Sequence, residues 1–375
     1  PIPQGERPAA LGTIWYPYFP SPDARPVLKA VLVDGEGRRW GELQQVVDLG
    51  LSTPGHPGSI SVYSLHISPD GCSFVADVAY GEESRSFWIN PTSGELKPVS
   101  TDPEHEDFLA WGPDGQVFAG NRFAEVWLEN LETREHRVFI FPRTEFGYLA
   151  VDALSASPDG MLLADACVYP ATVSHPESNI EIGLQPLKEE GKRSIIAAWN
   201  APGWVSIGWL AWSPDGKNLA LHAATGMYGS PDIDWQLWLI QKDGGPPTLL
   251  THDIHGPSSW SPDGRFIAFV RRTTYERPAP ADLWLFDLAT STEIQLTRFD
   301  DRRYVTSLAW SPDGQRLAFA VTVEIGDSVE GYDKIGDYGE IWMTSLDGKE
   351  QYPVAGPTAP DAPVAWLPAA KGGQK

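Results

Sequence analysis

A four-residue phrase, Ser-Pro-Asp-Gly, constrains this chain more than any other feature. It starts at Ser68, Ser157, Ser213, Ser261 and Ser311, and a variant, Gly-Pro-Asp-Gly, starts at Gly112. Successive starts lie 44, 45, 56, 48 and 50 residues apart. A period of that size marks a supersecondary unit that is stacked or arranged radially, because one such unit cannot bury its apolar face alone. The phrase itself reads as a turn: Pro presets φ, Asp accepts local backbone hydrogen bonds, and Gly supplies the positive φ that closes it.

The residues around each turn share one grammar. In the last unit SLAW precedes the turn at Ser311, and RLAFAV, GEIWMTSL and EQYPVA follow it. Four short runs of β-branched and aromatic residues separated by turn residues predict an antiparallel meander. YSLHI, SFVADV, SFWIN and LKPVS repeat the pattern around Ser68; FLAW, QVFAG, EVWLENL and HRVFIF repeat it around Gly112. Three further units follow around Ser157, Ser213 and Ser261, and no helical period of 3.6 residues competes over a comparable length. The two ends complement each other. PVAWLP, near the C-terminus, matches the first strand of the other units, while TIWYPYF, PVLKAVLVDG and ELQQVV at the N-terminus supply three strands without a first strand or its turn. The expected fold is therefore all-β: a seven-bladed β-propeller of four-stranded antiparallel blades in a single domain, the last blade closed by both termini. Blades 1 to 6 run over about 60–356, and blade 7 takes 12–48 plus 362–368. The alternative is a six-bladed ring with the N-terminal segment as an appendage.

WSPDG, then an apolar strand, then a strand carrying (L/I)W(L/M), resembles the TolB-like family of β-propellers, whose repeat is also called PD40 or WD40-like. The likeness spans nearly the whole chain. The family includes a periplasmic partner-binding protein, propeller domains of prolyl-oligopeptidase-like peptidases, and oligogalacturonate lyases. The resemblance thus implies a propeller and an extracytoplasmic address, periplasmic or at the cell surface. The Gly-His and Trp-Asp pairs of true WD40 repeats are missing, so cytosolic scaffold roles do not carry over. G-x-S-x-G is missing too, which leaves the peptidase reading without its nucleophile in this stretch.

Charge narrows the partners. Lys plus Arg number 28 against 50 Asp plus Glu, a net charge of −22, so nucleic acid and anionic membrane surfaces, which need a basic footprint, are poor partners. No apolar run approaches the roughly 18 residues of a membrane span, and no direct insertion is expected of this segment. The opening residues lack a signal-peptide layout, and a start at Pro1 without Met is expected of a chain that has lost residues upstream. The two cysteines, Cys72 and Cys167, fall in different units and are expected to be buried and unbonded.

Up-and-down strands place the Ser-Pro-Asp-Gly turns at one end of the blades and the long connections at the other, where binding usually resides. The longest connection runs over about 323–339 and carries Tyr332, Asp333 and Tyr338; its counterparts hold Tyr228, Asp232 and Asp234, then Tyr275, Glu276 and Arg277. The link over 298–304 adds Asp300, Asp301, Arg302 and Arg303. These residues form the expected partner-binding rim. Its carboxylates make Ca²⁺ one candidate ligand, though neither acidic cluster fits an EF-hand loop. His56, His105, His252 and His255, all expected in links between blades, make a transition metal another; the resemblance adds that oligogalacturonate lyases use a channel-end metal held largely by His. The regularly placed tryptophans are expected in the core, and Trp15, Tyr16, Tyr18 and Trp235 are expected to be more exposed. Three functions follow. The leading one is a non-catalytic binding or assembly module that holds a protein partner and needs no cofactor. The others are a metal-dependent polysaccharide lyase or hydrolase and the sensor domain of a longer membrane-anchored protein.

Overall fold

In the computed structural model, all five Ser-Pro-Asp-Gly phrases close the same turn. The Gly N–H donates to the Ser carbonyl, and the Ser N–H donates to the carbonyl five residues on, all at 2.8–2.9 Å. The glycines hold φ between 64° and 72°, a region that a side chain opposes. The serine, which the turn reading left without a role, is the hub. It is at most 7% exposed in every copy. Its hydroxyl donates to Asp Oδ1 at 2.6–2.7 Å and accepts the N–H five residues on at 2.8–3.0 Å. Asp Oδ1 also accepts the N–H after the glycine at 2.9–3.1 Å. Ser345-Leu346-Asp347-Gly348 builds the same network without proline. The working motif is therefore Ser-x-Asp-Gly, which satisfies its polar groups within six residues.

The structure describes residues 10–18, 27–34, 39–42, 47–48, 60–80, 83–99, 107–112, 115–121, 125–143, 151–171, 177–187, 192–226, 233–272, 280–299, 302–324, 338–358 and 360–368. They fall into two compact units, one of Pro1–Pro98, Ala268–Asp287 and Thr292–Lys375, the other of Val99–Ile267 and Leu288–Ser291. In chain order the first unit opens with β1 (Ala10–Tyr18), β2 (Val27–Asp34), β3 (Arg39–Glu42), β4 (Val47–Asp48), β5 (Ile60–Ile67), β6 (Phe74–Tyr80), β7 (Glu83–Asn90) and β8 (Glu95–Pro98). The second holds β9 (Asp107–Trp111), β10 (Val117–Asn121), β11 (Glu125–Glu129), β12 (His136–Phe139), β13 (Val151–Ala156), β14 (Leu162–Tyr169), β15 (Glu177–Pro186) and β16 (Ser194–Pro202). It continues with β17 (Trp204–Trp212), β18 (Asn218–Gly226), β19 (Asp234–Gln241), β20 (Thr248–Thr251) and β21 (Ile254–Trp260). Along β22 (Phe266–Arg272) the chain returns to the first unit, which adds β23 (Ala281–Asp287), β24 (Thr292–Gln295), β25 (Arg303–Trp310), β26 (Arg316–Val323), β27 (Tyr338–Ser345), β28 (Gln351–Thr358) and β29 (Ala365–Pro368).

Four-stranded antiparallel sheets run in the orders β5-β6-β7-β8, β12-β11-β10-β9, β13-β14-β15-β16 and β17-β18-β19-β20. The two ends of the sequence share one sheet, β29-β1-β2-β3, with Gly12 opposite Pro368 and Trp15 opposite Ala365. Of the expected outer strand ELQQVV, Glu42 ends β3 (Arg39–Glu42) and Val47 starts β4 (Val47–Asp48), both paired with β2, and 43–46 lie outside the described residues.

Apolar faces are covered by the neighbouring sheet. Ala164, Ala166, Ile180 and Ile182 of one sheet pack with Leu219, Leu221, Ala223 and Ile240 of the next. First-strand tryptophans lock this stacking: the Trp212 indole N–H donates to the Ser155 carbonyl at 3.0 Å, and that of Trp260 to Ala211 at 3.2 Å. Each such side chain removes roughly 150–250 Å² from water, on the order of 4–6 kcal/mol of gross stabilisation. The third-strand tryptophans, expected in the core, are only half-buried; Trp238 bonds locally to Gln236 and Trp342 to Glu340, while Trp88 donates to Ser73. Two expectations need correction. Trp15 and Tyr16 are buried because β1 is an inner strand covered on both faces, Trp15 packing with Phe74 and Tyr16 with the Ala318 and Ile341 group. Cys72 is exposed because it follows the turn directly; Cys167 is buried, and both are free thiols.

Candidate functional site

At the end of blade 4 away from its Ser213 turn, β18 and β19 finish with Thr225 opposite Asp234, and β20 passes into β21 through His252 and Asp253 alone. This short crossing puts Asp253 at φ 60° and lets the His252 Nδ1 meet Asp234 Oδ2 at 2.8 Å. Oδ2 also accepts the Gln236 amide N–H at 2.6 Å. Oδ1 of the same carboxylate is buried and has no hydrogen-bond partner among the described residues. A buried acceptor left open in this way costs free energy until a donor reaches it.

His222 lies below, on β18. Its Nε2 is 3.4 Å from the Ile254 carbonyl, and its ring packs on Trp235 at 4.7 Å between centroids. Burial, against the weaker effect of that carbonyl and with a small push from His255, drives its pKa down to about 4. The ring is therefore neutral at pH 7. β17 makes room by a bulge between Ile207 and Trp209, where Gly208 lacks the Cβ that would crowd Trp235 at 3.1 Å and His222 Nδ1 at 3.2 Å. Asp234, His252, His222, Trp235 and His255 thus gather at one end of blade 4 and the start of blade 5. His255 lies within β21 rather than in a link.

In the first unit the described members of the expected rim, Arg302, Arg303 and Tyr338, are tied into the fold. Arg303 starts β25, the Arg302 carbonyl accepts the N–H of the buried Glu324 at 2.9 Å, and Tyr338 starts β27. Arg271 holds Glu293 through two hydrogen bonds, of 2.7 and 3.0 Å, and stacks on Trp284 at 4.8 Å; Arg272 lies over Tyr304 at 5.8 Å. Tyr338 and Glu340 line an open cavity of about 670 Å³ with Arg39 and the Pro353–Pro357 stretch of β28. Tyr228, Asp232, Tyr275, Glu276, Arg277, Asp300, Asp301, Tyr332, Asp333, His56 and His105 lie outside the described residues. Among the described residues, no group of three His, Cys, Asp or Glu side chains is arranged to hold a metal ion.

Two polar networks escaped sequence reasoning. In the first unit His66 Nε2 meets Asp77 Oδ2 at 2.7 Å and the Ser64 hydroxyl at 2.9 Å, while Ser86 donates to Asp77 Oδ1 at 2.5 Å. These two contacts share one nitrogen, whereas a Ser–His–Asp relay places Ser and Asp on different ones. In the second unit Arg193 Nε donates to the fully buried Asp165 at 2.8 Å and Nη1 to Glu181 at 3.0 Å. Gly183, opposite Asp165 in the register, lets the guanidinium cross the sheet; a Cβ there would collide with Arg193 and Asp165. Burial opposes the charge of Arg193, but the hydrogen bonds and attraction of Asp165 outweigh it and hold its pKa above the ordinary value. Burial, and then Asp165, push the Cys167 thiol well above its usual range, so it is inert as a nucleophile.

No family model matches the chain. Among curated proteins it is 24% identical over 316 residues to dipeptidyl-peptidase 5 of Porphyromonas gingivalis, covering 70% of this chain and 45% of that one. It is 28% identical over 151 residues to the uncharacterized protein YidR of Escherichia coli, covering 39% and 30%. The chain thus spans less than half the length of either relative. Among solved structures it matches an oligogalacturonate lyase in complex with manganese at 14% identity and TM-score 0.54, covering 93% of this chain and 86% of the other. A putative 6-phosphogluconolactonase from Bacteroides uniformis matches at 14% and 0.51, covering 96% and 98%, and TolB from Acinetobacter baumannii at 18% and 0.49, covering 95% and 67%. The fold is that of a β-propeller. Likeness at these identities extends to the fold and no further. No helix among the described residues is long and apolar enough to cross a membrane.

Proposed function

We propose that this chain is a binding or assembly module that holds a protein partner at the blade ends opposite its Ser-x-Asp-Gly turns. The observation that carries the reading is the Asp234 carboxylate. One oxygen is fixed by His252 and Gln236, and the other is buried without a hydrogen-bond partner among the described residues. A fixed acceptor set among Trp235 and two histidines suits an Arg, Lys or amide group on a partner, and the chain's −22 charge favours a basic one. The longer reading goes with it: seven blades in one domain, with β29 on β1 as the closing seam, and an extracytoplasmic location like that of the TolB-like partner-binding protein. The test is crosslinking followed by co-purification from cells. Recovery of one protein that is lost on Asp234→Asn supports the reading, and repeated recovery of the chain alone contradicts it.

A second reading, a metal-dependent polysaccharide lyase or hydrolase, draws on His252 and His255 with His56 and His105, and on the fold shared with oligogalacturonate lyase. The contact of His252 Nδ1 with Asp234 orients the ring in a way that serves either role. Metal analysis of the purified protein, with activity assays after added Mn²⁺ or Zn²⁺, separates the two.

A further inference from the structure

Independently of the blade-end site, the sequence holds nine Asp-Gly pairs, a dipeptide prone to rearrange through its own backbone. The Gly nitrogen attacks the Asp Cγ and an N–Cγ bond forms. The carboxyl OH and the Gly N–H proton leave together as water, and a five-membered succinimide results. Water then opens one or other carbonyl of the ring, returning aspartate or giving isoaspartate, in which the main chain runs through Cβ. The water lost in the first step is regained in the second, so no other reactant is needed. Glycine permits the attack because it has no Cβ to crowd the nitrogen.

In six pairs the carboxyl is restrained. Asp70, Asp159, Asp215, Asp263, Asp313 and Asp347 each accept the turn serine at 2.6–2.7 Å and the N–H after the glycine at 2.9–3.1 Å, both on Oδ1. A carboxyl so held cannot rotate onto the Gly nitrogen until both bonds break. The bonds also favour the ionised form, which has no OH to lose: the serine hydroxyl, first among the causes, lowers the pKa of Asp159, Asp215 and Asp347. Asp243-Gly244, in the turn from β19 to β20, has the same backbone without the restraint. The Gly244 N–H donates to the Gln241 carbonyl at 3.0 Å, as against 2.8–3.0 Å in the six, and Gly244 holds φ 91°. Gln241 stands where the serine would, and Pro246, five residues on, has no N–H to complete a hub. Asp243 is exposed, and its carboxylate makes no hydrogen bond among the described residues. The pairs that begin at Asp34 and Asp114 include residues outside the described ones.

We propose that Asp243-Gly244 is a site at which this chain forms isoaspartate, and that the serine hubs protect the six restrained pairs from the same rearrangement. The product adds one backbone atom to a turn that is fitted at two points. The Lys242 N–H donates to the Lys217 carbonyl at 3.0 Å, and a Cβ on Gly244 would lie 3.3 Å from the Ile196 carbonyl of the preceding sheet. Conversion therefore loosens blade 4 at its Ser213 end and leaves the Asp234 end as it was.

The test holds the folded full chain for weeks at neutral pH in heavy-oxygen water and follows each Asp-Gly peptide by mass spectrometry. Every passage through the ring leaves heavy oxygen in the peptide, and electron-transfer fragmentation separates isoaspartate from aspartate. Asp243 is expected to convert at least about tenfold faster than any of the six, the rate equivalent of a lost hydrogen bond to a charged group. Ser345→Ala, at the half-buried hub and folded by circular dichroism, raises conversion of Asp347 by about tenfold and leaves that of Asp243 unchanged. In guanidinium chloride, where no serine is held in place, all seven sites convert at similar rates. A folded chain in which Asp243 is no faster than the six overturns the proposal. An excess at Asp243 that persists in the denaturant does so too, because it would then belong to the neighbouring sequence. Asp347 unmoved by Ser345→Ala overturns the protective role of the serine.

Discussion

Asp215 and Asp234 belong to the same blade and stand at its two ends. Asp215 spends its acceptors at once, taking the Ser213 hydroxyl at 2.7 Å and the Lys217 N–H at 3.1 Å. Those bonds, with Ser213 first, hold its carboxyl below the usual range although it is largely exposed. Asp234 has one oxygen fixed and the other open. The difference teaches that the most repeated text in the chain is chemically closed. The residues with something left to offer are at the far end, in text that does not repeat.

Asp165 is fully buried and held by Arg193 through Oδ1, while its Oδ2 has no hydrogen-bond partner among the described residues, and breaking that pair gives the largest expected effect. Arg193→Met strands a fully buried carboxylate and should cost about 3–5 kcal/mol in urea denaturation. A loss under about 1 kcal/mol, within the range of an ordinary surface change, would break the distinction. His222 comes next. Its folded pKa is pushed down to about 4 against an ordinary 6.5, so the unfolded chain takes up a proton first as pH falls. Stability attributable to this ring is complete above about pH 7 and is lost between 6.5 and 4, by about 2–3 kcal/mol at pH 4.5. His222→Gln should flatten that part of the pH profile, and an unchanged profile would contradict the burial argument.

Ser261→Ala removes the fully buried hub of a closed turn and should cost about 1–3 kcal/mol by thermal denaturation. The turn aspartates add a sign that can be checked. Asp159, Asp215 and Asp347 all have lowered pKa values, each chiefly through its serine hydroxyl. Their contribution is present above about pH 4 and lost as pH falls through the folded values, the opposite of what repelling surface carboxylates would give. Asp234→Asn has the smallest effect on folding, within about 0.5 kcal/mol, because it alters a site rather than a turn.

How much of this was legible follows from the same contrast. The strands could be read because a period of two, interrupted by a fixed turn, is local information. The turn's Pro, Asp and Gly announced their roles through backbone preference, while the serine's role depends on an N–H five residues on, and only Ser345-Leu346-Asp347-Gly348 shows that the proline is replaceable. Arg193 and Asp165 are 28 residues apart and meet through a glycine on a third segment, which no spacing rule signals. His222 looks like an ordinary member of the apolar strand LALHAA, and only the bulge at Gly208 gives it space. Trp15 and Tyr16 misled because their irregular place in the sequence suggested exposure, whereas strand order buried both. His252 was singled out by its place in the sequence, and its contact with Asp234, 18 residues away, could not be read there.

Parallel co-purification with the wild-type chain, Asp234→Asn and Asp215→Asn tests the central claim most directly. The account predicts that the wild type and Asp215→Asn, if folded by circular dichroism, recover the same protein partner, and that Asp234→Asn does not. Loss of the partner on the turn variant, with retention on Asp234→Asn, would contradict it.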